Sequence, residues 1–386
     1  MKFVAGCTMV LVAVAALAGC GPGGGGAAAG DAAGAAQVDT GKVYRWKMIT
    51  TWPKNLPALG TAPERMAEQL RVMSNGRLDI RVHGAGELVG PFEVFDAVSQ
   101  GTAELGHGAA YYWRGKIPVA AMFSTVPFGM TAQEMNGWLQ YGGGMALWRE
   151  VYAPFGIVPI ASGNSGVQMA GWFNKEINSI NDLKGLKMRI PGLGGEVLEK
   201  AGGVPVALPA GEIFTSLQTG VIDATEWVGP YNDLALGLHT VAKYYYYPGW
   251  HEPGPTMEAL VNKAAWDSLP PDLQLMLETS ARMINDDMLS EFTVRNTAAL
   301  ETLVKEHGVQ LRRLPDDVIN RLRELSGPVI EASAQQDDLS RRVYASYMQF
   351  LKQVEAYHAV SEQAYINART PPVSAPSGTA PATGAP

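Results

Sequence analysis

Arg189 is the residue of this chain with the plainest chemical use. It stands in Lys187-Met188-Arg189-Ile190-Pro191, near the C-terminal end of a predicted strand and before the turn Gly192-Leu193-Gly194-Gly195. Open α/β sheets bind their ligands at that edge. A guanidinium there holds a carboxylate through two parallel hydrogen bonds, which fixes orientation as well as charge. Taken alone, a strand arginine is more often a surface residue, so its surroundings must decide. Tyr111-Tyr112-Trp113 follows another predicted strand. Phenols at such a place can wall a small ligand and hydrogen-bond it, whereas Trp113 reads as core packing.

Enzymatic patterns find little support. The six histidines, His83, His107, His239, His251, His307 and His358, form no His-x-x-x-His pair, so the zinc-hydrolase pattern is absent. There is no Gly-x-Ser-x-Gly elbow. Ser162-Gly163-Asn164-Ser165-Gly166 lacks the lysine of a phosphate-binding loop. In the turn after Arg189 the third glycine of a dinucleotide fingerprint falls on Val197, a weak match. Both cysteines, Cys7 and Cys20, lie in the first 20 residues of 386, which excludes a thiol nucleophile or a cysteine-held metal from the rest. The formal charge of −7 argues against nucleic acid as a partner. An exported lyase or hydrolase with Glu226 or Glu252 as base is the competing class.

The elements that position these residues follow from pattern. Tyr44, Trp46 and Met48 alternate with Arg45 and Lys47, a half-buried strand. Thr61-Ala62-Pro63-Glu64 predicts a capping box, with Met66, Leu70 and Met73 on one helix face. Leu78, Ile80 and Val82 alternate again. A helix opens at Pro91, and a strand is expected over 103–106. This βαβαβ order predicts an α/β domain with a mainly parallel sheet. A second α/β block follows, with strands over 157–160, 167–173, 187–190, 204–208 and 222–228 and a helix over 211–219. From Pro271 the texture turns helical, with Leu273, Leu277 and Met283 in one long pattern, a helix from Pro315, and a third from Leu339 to Ile366. The fold class is therefore α/β: two α/β lobes laced together by long C-terminal helices.

The ends of the chain read differently. Lys2 and the apolar run after it precede Leu17-Ala18-Gly19-Cys20. A short apolar run closed by small residues is an export signal rather than a membrane span. The block resembles the lipobox of bacterial lipoproteins, which makes residues 1–20 a signal and Cys20 a lipidated anchor. Residues 21–41 are Gly/Ala-rich and predict a flexible tether. Residues 370–386 are rich in Pro, Ala, Thr and Ser and predict a disordered tail. The foldable part is 42–369.

Longer motifs supply the missing context. Pro209-Ala210-Gly211-Glu212-Ile213-Phe214-Thr215-Ser216-Leu217-Gln218-Thr219-Gly220-Val221-Ile222-Asp223-Ala224, taken with Asn181-Asp182-Leu183-Lys184-Gly185-Leu186-Lys187-Met188-Arg189, resembles the substrate-binding proteins of tripartite ATP-independent periplasmic (TRAP) transporters, of the dicarboxylate-binding type. Val94-Phe95-Asp96-Ala97-Val98-Ser99-Gln100-Gly101-Thr102-Ala103-Glu104 resembles the matching element of their first lobe. The resemblance implies a bilobed periplasmic binding protein, not an enzyme, in which Arg189 clamps the substrate carboxylate. Gln168, Glu226-Trp227, Tyr231-Asn232-Asp233 and Gly249-Trp250-His251-Glu252 are similar to the subgroup that binds 2-oxo acids or lactate with a metal ion. Carried over, Gln168, Glu226, the Trp227 carbonyl and Glu252 hold the cation, and Tyr111 and Tyr112 touch the ligand. These are oxygen donors, as Na⁺ or Ca²⁺ requires. The rival within the class is a metal-independent binder of a dicarboxylate or sugar acid. The implied partners are the TRAP membrane subunits, and the helix from Leu339 resembles one that supports homodimers.

Overall fold

Alternation makes the first strand. In β1 (Tyr44–Thr50) Trp46 and Met48 are buried while Arg45 and Lys47 face water. It pairs in parallel with β2 (Leu78–His83) on one side and β3 (Leu105–Ala109) on the other. The structure is a computed structural model and describes residues 41–369. The expected signal, the Cys20 anchor, all of the tether but Gly41, and the tail lie outside the described residues.

The remaining strands are β4 (Ile157–Asn164), β5 (Gly171–Phe173), β6 (Lys187–Arg189), β7 (Val204–Val206), β8 (Ala224–Thr225), β9 (Tyr244–Tyr247), β10 (Thr256–Asn262) and β11 (Gln310–Arg313). Among the described residues they form two sheets, in the orders β2-β1-β3-β10-β4 and β11-β9-β5-β8-β6-β7. Each sheet is the floor of one lobe. The first is mixed rather than mainly parallel, because β10 returns from the second lobe and inserts antiparallel between β3 and β4. In the second, β5 runs antiparallel to both β8 and β9. The chain thus crosses between lobes twice in short order, through residues 165–170 after β4 and residues 248–255 before β10.

A third crossing is helical. The 35-residue helix Pro271–Lys305 rises about 1.5 Å per residue, giving about 52 Å of span. It packs on β4 and on the helix Thr61–Met73 in the first lobe, and on the helix Pro230–Ala235 in the second. Its inner face carries Leu273, Leu277, Ile284, Met288 and Phe292, whereas Met283, expected on that face, is 43% exposed. No helix among the described residues is long and apolar enough to cross a membrane.

Local expectations fail where a side chain finds a nearer partner. The helix over 61–73 has no capping box: its N-cap is Gly60, and the Thr61 hydroxyl accepts from Arg65 at 3.1 Å. The predicted helix over 339–366 is two, Asp338–His358 and Glu362–Arg369. Its apolar stripe Val343, Tyr347 and Leu351 is buried on the protein's own first lobe, where the Tyr347 hydroxyl accepts from the Met130 amide at 3.0 Å. The strands predicted over 167–173 and 222–228 shorten to Gly171–Phe173 and Ala224–Thr225. The residues they shed are those that bend into the site.

Candidate functional site

Strand ends and crossovers converge on one point between the lobes. Arg189 ends β6, Glu226 and Trp227 follow β8, and Tyr111 and Tyr112 sit on the 3₁₀ turn Ala110–Trp113 after β3. The first crossover brings Gln168 and the second brings His251 and Glu252. Main-chain hydrogen bonds stitch the two crossovers together, from the Gln168 amide to the Glu252 carbonyl at 3.2 Å and from the Gly249 amide to the Gln168 carbonyl at 3.0 Å. A Cβ at Gly249 would lie 2.1 Å from that carbonyl, so only glycine lets the strands of backbone approach this closely.

Arg189 is 1% exposed, not a surface residue. Its Nε donates to the Leu208 carbonyl at 3.0 Å, and Nη1 donates to the Glu226 carboxylate and to the Glu226 carbonyl. The Trp227 ring lies 5.0 Å from its Cζ, a cation–π distance. Nη2 has only the Tyr112 hydroxyl, at 3.5 Å. The guanidinium is therefore fixed on three sides and held on the fourth by one long hydrogen bond alone. Burial works against its charge, but Glu226 above all, with Tyr112, Tyr111 and Glu252, more than offsets this and holds its pKa above the ordinary value.

The acids beside it are less well served. Glu226 gives one oxygen to Arg189, and its Oε2 has no hydrogen-bond partner. Glu252 accepts from Gln168 Nε2 at 2.8 Å, which leaves Gln168 Oε1 without a partner. Burial, then the charge of Glu226, pushes the Glu252 carboxyl well above its ordinary value. Burial likewise raises both tyrosines, Tyr112 to about 12, so the phenols stay protonated donors. An unpartnered buried acceptor costs about 1–3 kcal/mol, and breaking a buried ion pair costs about 3–5 kcal/mol. A cluster with several such atoms in one place is waiting for atoms it does not own. Gln168 Oε1 and Glu226 Oε2 are hard oxygen donors beside a second carboxylate, and Glu226, His251 and Glu252 each bring a ligand atom within 4.8 Å of the others. That donor set fits a hard cation. Trp227 donates its indole N–H to Asn232 at 3.1 Å.

Beside the cluster lies a cavity of about 320 Å³. Phe92, Tyr111 and Tyr112 wall it from the first lobe, and Pro191, Pro205 and Val206 from the second. Arg114 and Glu196 line it and form an ion pair between the lobes. The structure brings together every residue named from sequence except Cys20, which lies outside the described residues. It adds Arg114 and Glu196, which no sequence pattern had distinguished, and His251, which stood in the Gly249-Trp250-His251-Glu252 motif without a role.

The chain has relatives among known proteins. The model of the bacterial extracellular solute-binding proteins, family 7, matches residues 48–337. A monocarboxylate 2-oxoacid-binding periplasmic protein of Nostoc sp. is 44% identical over 323 residues, 84% of this chain and 88% of that protein. Among solved structures, a TRAP periplasmic solute-binding protein of Pseudoalteromonas atlantica with bound sodium and pyruvate is 44% identical with a TM-score of 0.82. The match covers 84% of this chain and 99% of that one. Another from Colwellia psychrerythraea, with bound calcium and pyruvate, is 43% identical with a TM-score of 0.82 and covers 85% of this chain and all of that one.

Proposed function

The chain belongs to family 7 of the bacterial extracellular solute-binding proteins, and within it we propose a binder of a small 2-oxo or 2-hydroxy monocarboxylate, of the pyruvate, 2-oxobutyrate or lactate type, taken together with Na⁺ or Ca²⁺. The family binds solutes outside the cytoplasm, which sets aside the exported lyase or hydrolase. The observation that carries the reading is the pair of unpartnered oxygens, Gln168 Oε1 and Glu226 Oε2, buried beside an arginine whose Nη2 makes only one long hydrogen bond. The ligand carboxylate pairs with Arg189 Nη2, and Tyr111 and Tyr112 donate from the first lobe. Gln168, Glu226, the Trp227 carbonyl and Glu252 hold the cation. The cation offsets the buried carboxylates and favours a ligand with an oxygen next to its carboxylate. An ionised dicarboxylate without metal would bring only further acceptors to those two oxygens. The relatives with pyruvate and sodium or calcium support the same choice.

Calorimetry of the purified protein tests it. Pyruvate or lactate binds at micromolar Kd, about −8 kcal/mol, and chelation in sodium-free buffer abolishes the signal. Tight binding of succinate or gluconate under chelation would overturn the reading.

The delivery role follows. Residues 42–369 form the binding domain, the lobes close on the ligand, and the closed face docks on TRAP membrane subunits. Cys20 carries the lipid anchor as the first residue left once the signal before it is removed, and residues 21–41 are the tether. Mass spectrometry of the membrane fraction checks this, since a Cys20→Ser chain stays unlipidated. A homodimer through the C-terminal helices is supported by Tyr357, Val360 and Tyr365, which remain 62%, 78% and 65% exposed beyond the part of that face packed on the protein itself. Light scattering reads the mass directly.

A further inference from the structure

His251 is the one member of the cluster whose role the oxygen-donor reading leaves empty. Its side chain is 1% exposed, and neither Nδ1 nor Nε2 has a hydrogen-bond partner. A buried imidazole ordinarily satisfies at least one nitrogen. His107, equally buried, shows the ordinary case: Nδ1 accepts from Trp52 at 2.9 Å and Nε2 lies 2.9 Å from the Ser162 carbonyl. His251 Nε2 is instead 3.4 Å from Glu226 Oε2, itself unpartnered, and the two are misaligned for a hydrogen bond. A ring nitrogen of His251 and one carboxylate oxygen each of Glu226 and Glu252 lie within 4.8 Å of one another. Atoms bound to one ion at about 2.0–2.6 Å stand no more than about 5 Å apart.

The ring is also held in place. Its Cβ lies where a Cβ on Gly194 would be only 2.9 Å away, so the helix Gly192–Lys200 closes directly over it. Trp250 packs at its edge, with ring centroids 5.5 Å apart. A neutral imidazole offers one lone pair, and here nothing in the protein takes it.

We infer that His251 is a nitrogen ligand of the cation site, and that this chain's site therefore takes first-row divalent ions, Mn²⁺ among them, as well as Na⁺ or Ca²⁺. This rests on the proposed cation-dependent site. Imidazole adds little for a hard s-block ion, but it raises affinity along the first-row divalent series. Replacing it by an oxygen donor of similar size should lower Mn²⁺ affinity by about tenfold or more while Ca²⁺ affinity changes by less than about threefold.

The experiment uses the purified metal-free protein loaded with Mn²⁺, with and without pyruvate. Pulsed electron paramagnetic resonance reads directly coordinated nitrogen. The expected result is a ¹⁴N modulation of imidazole type that changes to the ¹⁵N pattern when histidine alone is isotopically labelled, and that disappears in His251→Gln. Labelling needs no mutation, so a misfolded variant does not rescue or sink the inference. Mn²⁺ bound without nitrogen modulation overturns it, as does failure of Mn²⁺ to bind while Ca²⁺ or Na⁺ with pyruvate binds normally. If neither cation nor pyruvate binds, it is the cation-dependent site itself that fails, and the nitrogen ligand with it.

Discussion

Glu226 and Asp233 are both buried acids on the stretch that follows β8, and the protein treats them in opposite ways. Asp233 is 1% exposed and is met by three donors: Trp172 Nε1 at 2.9 Å, the Tyr245 hydroxyl at 2.7 Å and the Val228 amide at 3.3 Å. Tyr245 and Trp172 are stacked at 4.1 Å and belong to adjacent strands, so this carboxylate ties β5, β9 and the turn after β8 together. Glu226 meets Arg189 on one side, and on the other its Oε2 makes no hydrogen bond, with only the misaligned His251 ring 3.4 Å away. An acid whose lone pairs the fold has filled is part of the frame. An acid with a lone pair left over is part of the site. Burial alone does not separate the two; the count of donors does.

That distinction can be broken by mutation, and the largest expected effect is at the site. Arg189→Ala or Glu226→Gln should weaken pyruvate binding in the presence of cation by about a hundredfold, near 3 kcal/mol for a lost charge-assisted pair, while circular dichroism stays native. Unchanged affinity in calorimetry would remove either residue from the clamp. Asp233→Ala should do the reverse. It strands buried donors and lowers stability by about 2–4 kcal/mol in denaturant titration, with affinity of the folded protein within about threefold. A large loss of affinity at full stability would erase the contrast.

A smaller effect lies in pH. Burial raises the Asp233 carboxyl from 3.8 to about 7, against the pull of its three donors. The folded state then holds the proton more tightly than the unfolded chain. Its contribution is complete below about pH 4 and is lost as pH rises to about 7. The stability difference between the parent and Asp233→Asn should therefore shrink over that interval. His107 has the opposite sign. Burial lowers it from 6.5 to about 4, so its contribution is complete above about pH 6.5 and is lost as pH falls towards 4. Denaturation midpoints of His107→Gln and the parent should converge on acidification. Smallest of all is Arg114→Ala. Its pair with Glu196 is about one-third exposed on each side, so its loss should cost less than about 1 kcal/mol, or under about fivefold in calorimetric Kd.

Much of the architecture is legible in local pattern. The alternations of Tyr44–Thr50 and Leu78–His83 fall where periodicity places them. The mixed sheet is not legible, because β10 pairs with strands far back in the chain and its direction is set by the crossover rather than by its own residues. The predicted capping box at Thr61 failed for a related reason: Arg65 reaches the hydroxyl first. At the site, Arg189 is marked by its place at a strand end, and Gln168 and Glu226 by motif likeness. His251 lies inside the Gly249–Glu252 motif but takes no ligand role from it, since a histidine in a loop looks the same whether its nitrogens are satisfied or idle. Only the packed neighbourhood tells the two apart.

The two short crossovers have a last consequence. Gln168 rides on one and His251 and Glu252 on the other, and the same two links join the lobes. A ligand held there as proposed would touch the links themselves, so that gripping the cargo and tying the lobes would be one event, with no relay between a sensing part and a moving part.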